Sequence, residues 1–204
     1  MEKIHLSSFA IESQICTMKL FFPNQKDDKM EWKTMPPPFI NSFYNFIAEQ
    51  NRIPEQLEFW GYYYTQNKND FSDYIHKNIV LLKARCMRAF PSFVRDIHFY
   101  YILDESKKFE SVSYHPKIDI QYGIDFVVRY GGRLFGINCF INTTRSQKGR
   151  DKKQFRHPPV TKIVLVDLPV NFKGCKTCGQ FFLYSQRELQ QLISILSKKY
   201  SSPM

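Results

Sequence analysis

One carboxylate, a carboxamide thirteen residues after it and a dense run of cations are the residue types in this chain that could handle a phosphate ester. They occur together in GIDFVVRYGGRLFGINCFINTTRSQKGRDKKQFRH, from Gly123 to His157. Asp125, opposite Asn138, is a carboxylate that must be paired, hydrogen-bonded or bound to a cation if it is half-buried. Arg145, Lys148, Lys152 and Arg156 are spaced by 3, 4 and 4, so on a helix they form one positive stripe. Such a stripe repels itself. A phosphate backbone beside it relieves the repulsion and releases counterions, which makes nucleic acid the economical partner. A solvated face with no ligand is the competing reading, and Gly149 with its Ser and Thr neighbours weakens the helix enough to allow a basic loop.

These groups need a frame that brings them together. The two glycines of YGGR, Gly131 and Gly132, suit the centre of a tight hairpin turn, where positive φ is required. That register pairs Tyr130 with Arg133, Val128 with Phe135 and Asp125 with Asn138. The last two then stand on one sheet face, roughly 5 Å apart at Cβ, together with Val127, Gly136 and Leu134. Phe126, Val128, Phe135, Ile137 and Cys139 take the other, apolar face. A carboxylate on a half-buried face must be paired, hydrogen-bonded or bound to a cation; an Asp solvated at a strand end, or paired with a basic side chain, is the plainer alternative.

Around this hairpin the pattern predicts a mixed α/β fold, a central mixed β-sheet flanked by helices. Pro36 to Pro38 mark a boundary. FINSFYNFIAEQ repeats its apolar residues at helical spacing. Asn69 or Asp70 is expected to cap a helix over FSDYIHKNIVLLKARCMRAF, and Pro91 to kink or end it. SFVRDIHFYYILDE reads as a second helix, with IHFYYIL equally readable as a strand. FESVSYHP, IDIQYGIDFVVRY and RLFGINCFIN read as strands, VTKIVLVDLPV as a fully buried strand, and QFFLYS as a further one. SQRELQQLISILSKKY reads as an amphipathic helix with a capping box from Ser185 to Glu188. Residues 1–68 form an N-terminal segment, partly helical and packed on the core, and residues 69–204 the α/β core.

The order of helix, strand, GIDF on a second strand, tight turn, GINCFIN on a third strand, basic helix and apolar strand resembles the PD-(D/E)XK superfamily, which includes many restriction endonucleases. The resemblance covers roughly Phe71 to Ser185. It implies a restriction endonuclease-like core in which Asp125 binds Mg²⁺, position 138 supplies an acidic ligand and position 140 a Lys that assists the attacking water. Here Asn138 and Phe140 stand at those two positions. Catalysis then needs relocated groups, a carboxylate such as Asp96 or Asp119 and a cation from Lys152 or Lys153. The active form implied has Asp125 and Asn138 at the metal, and Lys152 or Lys153 steadying developing negative charge. The inactive form keeps the same sheet and basic helix as a nucleic-acid docking surface, in an adaptor subunit of a multi-protein complex. Defence against foreign DNA is an association of the resemblance only.

The formal charge of +10 over 204 residues also favours a polyanionic partner, DNA being the form expected. An acidic surface of a partner protein, or a second copy of the chain, is the other use of the stripe. No apolar run approaches the roughly 20 residues of a membrane span, and the first ten residues lack the pattern of a secretory signal, so no membrane is expected and the location read is cytoplasmic. Five Cys fit free thiols in a reducing compartment. Cys175 and Cys178 have CxxC spacing, but with no second pair zinc is not expected. The five His show no metal-binding spacing; His98, two residues after Asp96, is read as a packed helix residue. No phosphate loop, nucleophile elbow or dinucleotide fingerprint occurs. The aromatic run FWGYYYTQ is assigned to packing rather than to base stacking.

Overall fold

Ser7 starts the first helix by accepting the Ala10 N–H at 3.0 Å, and α1 runs Ser8–Ile15. The computed structural model describes residues 6–141 and 162–201. It continues with a π-helical turn at Lys29–Lys33, α2 (Phe39–Gln50), α3 (Gln56–Asn67), a 3-10 turn at Lys68–Asp70, α4 (Asp73–Lys77) and α5 (Ile79–Glu105). Next come β1 (Ser111–Ser113), α6 (Pro116–Tyr122), β2 (Phe126–Tyr130), β3 (Arg133–Ile141), β4 (Val164–Val170), β5 (Lys176–Cys178), β6 (Phe181–Leu183) and α7 (Gln186–Ser201). The fold is mixed α/β. It divides into two compact units, Met1–Arg95 with Cys178–Phe181, and Asp96–Thr177 with Phe182–Met204.

The first unit is held by aromatic rings. Phe43 meets Phe59 at 5.4 Å and Phe90 at 5.9 Å between centroids, both nearly edge-on, a geometry that adds to area burial. The FWGYYYTQ run lies in α3, where Phe59 and Tyr63 are fully buried. The Tyr63 hydroxyl donates to the Pro37 carbonyl at 2.9 Å, so the polar tip of a buried ring is satisfied. α4 is capped by Ser72, not by Asn69 or Asp70.

Pro91 neither ends α5 nor starts a new helix: α5 is continuous over 27 residues. Proline lacks the N–H that would bond the carbonyl four residues earlier, here that of Met87. The buried amide of Gln56 supplies the missing donor, its Nε2 bonding the Met87 carbonyl at 2.8 Å, while its Oε1 accepts the Phe21 N–H at 2.7 Å. Gln56→Leu leaves both main-chain groups without these bonds, and is expected to lower stability by about 1–3 kcal/mol in urea denaturation. An unchanged midpoint would mean that the helix tolerates Pro91 without this support.

In the second unit the sheet order is β1-β2-β3-β4. β1, β2 and β3 are antiparallel neighbours, and β4 runs parallel to β3. Tyr130 pairs with Arg133 and Val128 with Phe135, around Gly131 (φ 56°) and Gly132 (φ 74°); this is the turn that the glycine pair predicts. Phe126, Val128, Phe135, Ile137, Val166, Leu168 and Val170 are all buried. Phe99 of α5 packs edge-on to Phe126 at 5.8 Å and to Tyr184 at 5.0 Å. α7 is tied to the sheet by Gln191 Nε2 on the Pro169 carbonyl at 3.0 Å and Lys199 Nζ on the Leu165 carbonyl at 2.9 Å.

The segment IDIQY differs from the expectation. It is helix α6, not strand: His115 accepts the Lys117 N–H at 3.2 Å, Pro116 takes the first helical position, and Gly123 at φ 66° ends the helix. Those are start and stop signals of a helix, and they override the alternation of Ile118, Asp119 and Ile120. The basic helix expected over 143–156 lies outside the described residues. Among the described residues no helix is long and apolar enough to cross a membrane.

Candidate metal and nucleic-acid site

Asp125 sits one residue before β2, between the end of α6 and the ladder. The register holds as far as Phe126 opposite Ile137. At Asp125 it departs: the Asp125 N–H donates to the Ile137 carbonyl at 3.0 Å, so two consecutive residues share one rung. That is a β-bulge. The carboxylate then turns into the ladder, its Oδ2 accepting the Cys139 N–H at 2.6 Å. A continued β2 would offer a main-chain carbonyl there; the side chain replaces it.

The regular Asp125–Asn138 rung expected from the hairpin is therefore corrected. Asp125 lies against the peptide group that joins Asn138 to Cys139, rather than standing simply opposite Asn138. The face expected for it, over Gly136, is taken by Ile124. A Cβ at Gly136 would stand 3.0 Å from Ile124 Cδ1, 3.0 Å from Ile163 Cγ2 and 3.1 Å from Leu165 Cδ2. The bulge is the physical cause, because one extra residue shifts the alternation of every residue before it.

Asn138 is half-buried on β3, and its Oδ1 is a buried acceptor with no hydrogen-bond partner among the described residues. Its neighbour in the parallel ladder is Asp167 of β4. Sequence reasoning missed Asp167, although the signal was there, a single acid inside the apolar run VLVDLPV. Only the β3–β4 register puts it beside Asn138. Phe140 pairs with Pro169, so neither residue of that rung supplies a cation.

Comparison with protein-family models, curated proteins and solved structures finds no match. Asp125 and Asn138 offer oxygen donors only, the type that Mg²⁺ takes. Among the described residues no three His, Cys, Asp or Glu side chains are grouped to hold a metal. Mg²⁺ does not need such a trio, since it is commonly held by one or two carboxylates together with substrate phosphate and water.

The remaining candidates lie on other elements. Asp119 is on α6 and Asp96 on α5, half-buried; His98 is fully buried. The thiols of the CxxC pair are engaged separately, Cys175 on the Asn171 carbonyl at 3.1 Å and Cys178 on the Glu12 carbonyl at 3.2 Å. Arg145, Lys148, Lys152, Lys153 and Arg156 lie outside the described residues. By composition, residues 142–161 carry six Lys and Arg against one Asp, a net +5 out of the chain's +10. That segment leaves β3 directly after Ile141, four positions from Asn138.

Proposed function

We propose that this chain binds DNA and hydrolyses its phosphodiesters with Mg²⁺, as the restriction endonuclease-like nucleases that it resembles do. The observation that carries the reading is the placement of Asp125 and the orphaned Asn138 oxygen at the end of β3 from which the basic connection departs. The sheet supports it too: two antiparallel strand pairings followed by a parallel strand suit the element order on which the resemblance rests.

Asp125 and Asn138 would hold the ion. When bound, Mg²⁺ polarises the phosphodiester and lowers the pKa of a bound water. The Cys139 N–H fixes the plane of the Asp125 carboxylate without excluding a cation, because a carboxylate offers about four acceptor sites. Arg145, Lys148, Lys152 and Arg156 hold the sugar-phosphate chain as point charges, and Lys152 or Lys153 steadies the charge that develops on phosphate oxygens.

Phe140 favours a second reading. It stands where the resemblance implies a Lys, beside Pro169, and a chain without that cation would dock DNA for a partner protein without cutting it. Supercoiled plasmid incubated with Mg²⁺ or Mn²⁺ separates the two. The proposal expects nicking by the wild-type chain and its loss in Asp125→Asn, which keeps an acceptor for Cys139 and hence the ladder end. Salt-sensitive retention without nicking would establish the docking subunit. Absence of both retention and nicking would contradict either form.

A further inference from the structure

We infer that Phe172 and Phe182 form a stacking platform for an unpaired nucleobase, an inference that rests on the nucleic-acid reading of the core and extends it to single strands. The two rings stack with centroids 5.5 Å apart and planes 14° from parallel. Phe182 is the outward residue of β6, between buried Phe181 and Leu183, and is 49% exposed. Every base has a π-face, and aromatic rings beside a basic track are the means by which single strands are held without sequence preference.

The place and the surroundings of the pair favour a nucleotide over an apolar partner. β3 and β4 run parallel and end together, Ile141 opposite Val170. Phe172 follows Val170 by two residues, so it leaves the sheet at the end where β3 also stops, with Asn138 three rungs back, about 10 Å at 3.3 Å per residue. The loop that carries Phe172 is fixed in advance. Arg187 donates to the Asn171 and Gly174 carbonyls at 2.9 and 3.0 Å, and Asn171 Oδ1 accepts the Lys173 N–H at 2.9 Å. A ring held in place has little freedom left to lose on binding. Lys173 follows Phe172 directly, Lys176 lies on β5, and both are exposed. Residues 171–187 contain no Asp or Glu, so no acid of this stretch offsets the two lysines; Arg187 is the cation already engaged, with Glu188. An aromatic face flanked by lysines complements a base together with its phosphate.

The competing role for the two rings is a clip that fastens β6 to the loop after β4. Fluorescence anisotropy of the full chain with labelled oligo(dT), with an abasic strand of the same length and with a duplex distinguishes them. The abasic strand keeps the phosphates and lacks the bases. Phe182→Leu keeps an apolar side chain and removes the π-face, whereas Phe182→Trp keeps the π-face. The wild-type chain is expected to bind oligo(dT) about tenfold more tightly than the abasic strand, and Phe182→Leu should lose that tenfold while Phe182→Trp retains it. Affinities for the abasic strand and the duplex should be the same in all three proteins. Equal oligo(dT) affinity in wild type and Phe182→Leu would overturn the inference. So would a loss in Phe182→Leu that is as large on the abasic strand and the duplex, which would establish the clip. Salt-sensitive duplex binding with no preference for oligo(dT) over the abasic strand overturns this inference and leaves the proposed function standing; binding to none of the three overturns both.

Discussion

Alanine at Arg145, Lys148, Lys152 and Arg156 together is expected to remove most of the salt dependence of DNA binding. Each phosphate contact contributes about 0.9 to the slope of log affinity against log salt, so four lost contacts flatten it by roughly 3 to 4. Between 50 and 200 mM salt the wild-type chain should therefore lose about 100-fold more affinity than the variant. The four residues belong to a segment that holds half of the chain's net charge, which is why the effect should concentrate there. Fluorescence anisotropy of a labelled duplex over a salt series reads both slopes. Equal slopes would place the DNA contacts elsewhere.

The second large effect falls on stability. Glu188→Ala is expected to cost about 1–3 kcal/mol, the scale for losing hydrogen bonds to a charged group and a helix cap. The Glu188 side chain is 1% exposed and ion-paired to Arg187. It accepts the Ser185 N–H and hydroxyl, both at 2.8 Å, and Arg187 Nε at 2.7 Å, closing the N-terminus of α7 as the capping box predicts. Arg187 in turn donates to the Asn171 and Gly174 carbonyls at 2.9 and 3.0 Å, so the loop after β4 depends on the same carboxylate. Burial pushes the Glu188 carboxyl up, but the bonds from Arg187 and Ser185 outweigh it and hold the group below its ordinary value. A depressed carboxylate stabilises the fold above its unfolded pKa, and that contribution disappears as pH falls through the folded value. Urea denaturation should therefore show a wide gap between wild type and variant at neutral pH, narrowing in acid. A gap independent of pH would assign the loss to packing.

What the sequence made legible was local. The glycine pair and the alternation on either side of it fixed the β2–β3 register from Tyr130–Arg133 to Val128–Phe135. Ser185 and Glu188, three residues apart, announced α7. The failures share a different character, each depending on a group far away or on a break in period. Pro91 stays inside α5 because Gln56, 35 residues earlier, supplies a donor to Met87. Ile118, Asp119 and Ile120 alternate like a strand, yet His115, Pro116 and Gly123 bound a helix. The bulge at Asp125 was hidden because alternation counts every residue as one rung. It turned an expected rung into a side-chain bond on Cys139. Asp167 was visible as a single acid in its strand, but only the parallel pairing set it in register with Asn138. No single-strand pattern encodes which strand lies next door.

On the proposed reading, DNA is held at Asp125, Asn138 and the basic residues that follow β3 in the sequence. Amide hydrogen exchange over the whole chain, with and without saturating duplex DNA, tests it most directly. Slower exchange on DNA binding across residues 136–161 is the predicted result. Protection confined to the N-terminal helices, or no change anywhere at saturation, would contradict it.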